Sequence, residues 1–198
     1  MDFIQNFSTL WAVFLGALLA TIGGFGATQL EWHIERKRRE RNAALFFGEV
    51  LATLKILLGF AADTRKIGDP YGPITQRMLR SAAGELDIYA RNRETLYDLS
   101  HPELRTRIHT LSLRIGMSID GLFDANNAIV ALQDQMADMS EARRLESEQR
   151  IANLTRSREG SFEFLMESAE QLKAVIRELE PIAKFSFENV ERAVRRST

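Results

Sequence analysis

The chain is predicted to be all-α: a single N-terminal transmembrane helix followed by a long-helix antiparallel bundle, or coiled-coil-like domain. Three observations predict this. Residues 3–30 carry no charged side chain and run into the basic stretch Glu35-Arg36-Lys37-Arg38-Arg39-Glu40-Arg41. Apolar residues then recur at 4-3 spacing through most of the chain, which is the period of one helix face. No run of alternating β-branched residues marks a strand. The expected parts are an N-terminal tail and anchor (residues 1–30), a basic juxtamembrane helix (31–42) and a cytoplasmic helical bundle (43–198).

The anchor is strongest from Leu10 to Leu30, and a helix needs about 20 mostly apolar residues to cross a bilayer. A cleaved signal peptide would carry cations before a shorter apolar core, with a small-residue cleavage site after it. Here Asp2 is the only charge before the apolar run and every Lys and Arg follows it, so a retained anchor is expected. The basic residues Arg36, Lys37, Arg38, Arg39 and Arg41 come directly after the span. The positive-inside bias then places the N-terminus outside and the rest in the cytoplasm, which suits a plasma (inner) membrane. Trp11 and Trp32 are 21 residues apart, about 31 Å along a helix. That matches a hydrocarbon core of about 30 Å, with one indole at each interface. Ser8, Ala12, Gly16, Ala20, Gly24 and Thr28 recur every fourth residue. Small side chains let backbones approach closely in lipid, so Ala12, Gly16, Ala20 and Gly24 are expected to form a helix-packing face. Glu35 with Arg39, and Arg36 with Glu40, have the i,i+4 spacing that supports a continuing helix.

Charge excludes some function classes. The chain holds 26 basic and 27 acidic residues. Asp2 is the only one of these before residue 31, so the remainder is balanced. Nothing in that balance is a footprint for nucleic acid. Cysteine is absent, which excludes disulfides, thiolate nucleophiles and Cys-based metal sites.

The bundle elements follow in order. Phe47, Leu51, Leu54, Leu58 and Ala61 give residues 43–66 a broad apolar face. A second membrane span over 43–62 is the rival reading. Its ten Leu, Ile, Phe and Val residues would gain about 3–6 kcal/mol on insertion, against about 5–7 kcal/mol lost on burying Glu49 and Lys55. The balance favours a bundle helix. Gly68-Asp69-Pro70-Tyr71-Gly72-Pro73 reads as a loop. A second helix begins near Pro73, a residue comfortable in a first turn, with Leu79, Ala83, Leu86 and Ala90 on one face. Ser100 and Glu103 have capping-box spacing and open a long helix. Its 4-3 row is Leu104, Ile108, Leu111, Ile115, Ser118, Leu122, Ala125, Ile129, Leu132, Met136 and Met139, with Ile119 compensating for Ser118. Ser140 caps the next helix, where Ile151, Leu154, Arg158, Phe162, Leu165, Ala169, Leu172, Ile176 and Leu179 keep the spacing. Gly160 is a point of interruption and Pro181 an end or kink. Residues 182–196 form a final short helix, whose Ile182, Phe185, Phe187, Val190 and Val194 pack onto the bundle in preference to the membrane surface. Heptads sustained this long predict coiled-coil-like pairing.

The search for chemistry nominates little. His33, His101 and His109 lack the spacing of a zinc site. Ser100-His101-Pro102-Glu103-Leu104-Arg105-Thr106 resembles the phosphoacceptor box of sensor histidine kinases, in which His is followed by Glu-Leu-Arg-Thr on a bundle helix. The resemblance implies His101 as phosphate acceptor, with the adjacent acid helping to deprotonate it. It covers seven residues, and Pro102 displaces Glu103 by one position. Arg107 stands where a proline is expected, and no glycine-rich ATP-binding half follows. A capped helix start accounts for the same residues. Glu163, Glu167 and Glu170 lack the Glu-x-x-His partners of a bundle metal site. Asp120, Asp124, Asn126 and Asn127 read as a solvated face. No catalytic residue, metal or cofactor is therefore expected. The expected function is a non-enzymatic membrane-anchored scaffold, adaptor or signal-relay protein. Its expected partners are membrane lipid and either a second copy or another membrane protein. The alternatives are an accessory subunit of a transport or channel complex, or a phosphorelay partner using His101.

Overall fold

The computed structural model describes residues 2–136 and 139–189; of the side chains before Phe14, and of those at Ala17, Ala20, Ile22 and Ala27, nothing is described. Four α-helices account for most of the described chain: α1 (Asp2–Thr64), α2 (Pro73–Arg91), α3 (Pro102–Gln135) and α4 (Glu141–Ala183). A 3-10 helix, Arg93–Asp98, joins α2 to α3. No strand occurs among the described residues, so the chain is all-α. It divides into two compact units, Met1–Glu40 and Arg41–Thr198.

The second unit is a helical bundle. Its core takes Phe47, Leu51, Leu54, Leu58 and Ala61 from α1, all fully buried as their spacing predicts. Residues 43–62 therefore spend their apolar surface on the bundle. The stretch Gly24–Thr64 is long and apolar enough to cross a membrane, but half of its most apolar window is buried. A core helix meets the same composition, and no turn before residue 65 allows a hairpin of two spans.

The α1–α2 loop is where expected. Gly68 takes a left-handed conformation (φ 82°), which glycine adopts without steric cost. Asp69 then accepts hydrogen bonds from the backbone of Tyr71 (3.0 Å) and Gly72 (3.0 Å), turning the Tyr71 ring into the core. Pro73 opens α2. The buried face of α2 differs from the expected one: it is Thr75, Leu79, Ala82 and Tyr89, and Ala90 is exposed. An aromatic ring at Tyr89 has far more apolar surface to bury than the neighbouring alanine, and it meets Phe47 edge-on at 5.8 Å.

Helices α3 and α4 pack against each other. They run antiparallel, since Arg107 pairs with Glu178 and Asn126 with Arg158. The 4-3 row of α3 is buried from Leu104 to Ile129. Ser118 fits this row because its hydroxyl donates to the Arg114 carbonyl (2.8 Å) and leaves no unpaired polar group. Ile119 is buried beside it. The row ends earlier than its heptads suggest: α3 stops at Gln135, and Met139 lies beyond it, its sulfur accepting from the Ser147 hydroxyl at 3.3 Å. In α4, Phe162 to Leu179 are buried at the expected positions.

Several local expectations are corrected. α3 is capped by His101 with Pro102 in the first turn, so the start falls one residue past the Ser100 capping box. A proline favours the first helical position, where its missing N–H costs nothing. Gly160 does not interrupt α4, and Pro181 does not end it at once; the helix runs to Ala183. Lys184, with φ 53°, is the left-handed residue that stops it.

Candidate functional site

The first unit holds the sequence-predicted site residues except Arg41. Its backbone is helical throughout residues 2–40. Phe14, Leu15, Leu18, Leu19, Phe25 and Leu30 are large, apolar and exposed. Gly16 and Gly24, from the small-residue face, are also exposed, and a Cβ added at either meets nothing within 4 Å. The side chains of Trp11, Ala12 and Ala20 lie outside the described residues. The Thr28 hydroxyl donates to the Gly24 carbonyl at 2.9 Å. That bond satisfies the hydroxyl within its own helix. Trp32 is 75% exposed.

The basic run divides in two. Arg36, Lys37 and Arg38 are exposed, and Arg39 holds Glu35 at 3.2 Å, the expected i,i+4 pair. Arg41 differs. It belongs to the bundle, where its Nε donates to the Ala183 carbonyl at 3.2 Å. A cation there satisfies a terminal carbonyl of α4 and complements the negative end of the helix dipole. Arg41 is thus partly committed to closing the bundle rather than free as a juxtamembrane cation.

Residues 184–189 form a hook on α1 that sequence reasoning placed only in outline. Phe187 is 2% exposed and its ring lies on Gly48. A Cβ on residue 48 would fall 2.8 Å from Phe187 Cε1 and nearer still to Cζ and Cε2. Only glycine leaves room for this ring. The Glu180 carboxylate accepts from the Phe187 N–H (2.8 Å) and the Ser186 hydroxyl (3.2 Å), which folds the hook back. Of the residues expected to pack here, Phe187 does so, Phe185 is exposed, and Val190 and Val194 lie outside the described residues.

A cation-aromatic cluster at the far end of the bundle was also missed. Arg65 pairs with Glu159, and its guanidinium lies 4.2 Å from the Phe162 ring centre and 4.9 Å from that of Tyr71. Arg158 covers the Tyr71 ring at 3.9 Å and donates to Asn126 Oδ1 at 2.8 Å. Burial pushes the Tyr71 phenol up to about 12; Arg65 pulls against this shift, while Glu159 adds to it. The cluster ties the α1–α2 loop to α4. Its one sequence signal was a cation, Arg158, on the apolar row. Tyr89 is also buried, which raises its phenol, and its hydroxyl shares a hydrogen bond with His109 Nδ1 (3.0 Å).

His101 sits at a groove of about 860 Å³ lined also by Pro102, Glu103, Leu104, Arg107, Glu178, Pro181 and Ile182. It is exposed and caps α3, preceding the helix instead of lying on it. The phosphoacceptor likeness places the histidine on a bundle helix, so the local geometry departs from it. Glu163, Glu167 and Glu170 are all exposed, as are Asp120, Asp124 and Asn127. Among the described residues, no group of three His, Cys, Asp or Glu side chains is placed to hold a metal ion. Compared with protein-family models, with curated proteins and with solved structures, the chain matches none.

Proposed function

We propose that this chain is a single-pass, membrane-anchored helical scaffold or adaptor that works by association and not by catalysis. The observation that carries the reading is the uncharged helical run of residues 3–30, followed within a dozen residues by five cations, Arg36 to Arg41, against three acids, Glu31, Glu35 and Glu40. A helix with exposed Phe14, Leu15, Leu18, Leu19 and Phe25 in water would present a continuous apolar surface, and soluble monomers rarely do so. The charge order sets the N-terminus outside and the bundle in the cytoplasm at a plasma (inner) membrane. The burial of residues 43–62 in the bundle supports one span over two. Homo-oligomer formation rests on the small-residue face with Gly16 and Gly24, and coiled-coil-like pairing rests on the heptads of α3 and α4.

Crosslinking of the full-length protein in membranes tests this. Carbonate-resistant membrane retention and a crosslinked homo-oligomer that weakens in Gly16→Leu and Gly24→Leu are expected. Extraction by carbonate removes the anchor. A strictly monomeric protein, unchanged by either substitution, removes self-association and leaves packing against another membrane protein, as in an accessory subunit of a transport or channel complex.

A further inference from the structure

The α3–α4 hairpin outlasts the rest of the bundle. Arg65 pairs with Glu159 and the Tyr71 ring meets Phe162 edge-on at 6.2 Å, so α1 and its loop end at that level of α4. Helix α2 runs antiparallel to α3, since Arg80 lies 6.0 Å from the Phe123 ring centre and Leu86 faces Gly116. That register sets Pro73, the first residue of α2, near Val130. From Glu141 to Glu159, α4 therefore extends about 27 Å with only the end of α3 alongside. The apolar rows do not stop there. Leu132, Met136, Met139, Ile151 and Leu154 continue the 4-3 spacing, and all five are half-buried. Val130 is 48% exposed and Leu145 62%. Between Ile129 and Phe162 no described apolar side chain is buried, whereas the same rows nearer the other end share one core with α1.

The two legs of this hairpin differ in charge. Residues 115–140 hold four acids and no base, and residues 141–158 hold five arginines against Glu141, Glu146 and Glu148. Asp124, Asp134, Arg150 and Arg156 are exposed, and among the described residues no ion pair joins the legs here. Asn126 with Arg158, and Arg107 with Glu178, set the register of the pair, which puts Asp134 level with Arg150. We infer that this end of the hairpin is the interface with a second copy of the chain, a two-fold four-helix bundle in which α3 of each copy lies beside α4 of the other. The inference rests on the self-association proposed above and gives it a surface outside the anchor. Each leg covers only one side of the other's apolar row; two hairpins face to face enclose both rows. A two-fold axis along the hairpin sets acidic leg against basic leg twice. A partner of uniform charge would match one leg and be repelled by the other, whereas a second copy matches both.

The absence of cysteine makes the test direct. Full-length protein in mild detergent carries Gln135→Cys, at an exposed position, with donor dye on one batch and acceptor dye on another. Gly16→Leu and Gly24→Leu are present throughout, which removes pairing through the anchor face. Energy transfer between chains is expected to persist in this background. Asp124→Lys with Asp134→Lys makes both legs basic, and Arg150→Glu with Arg156→Glu makes both acidic. Each pair of substitutions is expected to weaken association at least about tenfold, and an equimolar mixture of the two variants is expected to restore it. Chains that are monomeric once the anchor face is blocked overturn the inference and leave anchor pairing standing. Association that ignores either charge reversal, or that mixing does not restore, overturns it as well. Association that survives Gly16→Leu and Gly24→Leu and follows the charge exchange supports the hairpin interface whether or not the anchors also pair.

Discussion

Gly48→Ala tests the hook through a reversal of sign. Ala in a helix interior is ordinarily more stable than Gly by about 1 kcal/mol, so the substitution would normally help α1. Here the added Cβ enters the ring of Phe187, and the ring must leave its site. Burying a Phe side chain contributes about 1.5–3 kcal/mol. Losing most of that outweighs the propensity gain, and a net destabilisation of about 1 kcal/mol is expected. In a Phe187→Ala background the obstacle is gone, and Gly48→Ala should then stabilise by about 1 kcal/mol. The double-mutant cycle thus carries a coupling of about 2 kcal/mol. Denaturant unfolding of the full-length protein in mild detergent, followed by far-UV circular dichroism, measures it. Hydrogen exchange at the Phe187 amide, which donates to Glu180, should accelerate in Gly48→Ala alone. Equal stabilisation by Gly48→Ala in both backgrounds would refute the reasoning.

Two further outcomes concern the cation-aromatic cluster. Asn126→Leu removes the acceptor at 2.8 Å from Arg158 Nη1 and should cost about 1–3 kcal/mol by stranding a half-buried donor. The same unfolding assay should show most of this recovered when Arg158→Met is added, since removing both partners leaves nothing unpaired. The phenol of Tyr71 is pushed up to about 12 in the folded chain against about 10 when unfolded, so the folded state favours the protonated ring. Its stabilisation is complete below pH 10 and is lost as pH rises through 12. Tyr71→Phe should remove that part of the alkaline limb in a pH titration of stability.

Much of the fold was legible because helix faces are local. Leu104 to Ile129 and Phe162 to Leu179 are buried where a 4-3 spacing puts them, since the helical repeat alone decides which side chains share a face. Loop and helix starts at Gly68, Pro73 and Ser140 were equally readable from backbone preferences. Caps and ends were less so. His101 took the cap expected of Ser100, and α4 passed through Pro181 to Ala183, because such ends depend on what the terminal carbonyls and amides meet. Arg41 shows the difference. Its place in a basic run grouped it with the juxtamembrane cations, but the carbonyl it satisfies belongs to α4.

By itself the sequence determined the all-α class, the uncharged run with its following cations, and the buried rows, because each depends on residues a few positions apart. Only the tertiary structure decided which residues from distant segments meet. It set Phe187 on Gly48 and gathered Arg65, Tyr71, Asn126 and Arg158 into one cluster. Periodicity says which face of a helix seeks a partner. The partner itself is chosen by shape and charge complementarity between segments that chain order leaves far apart.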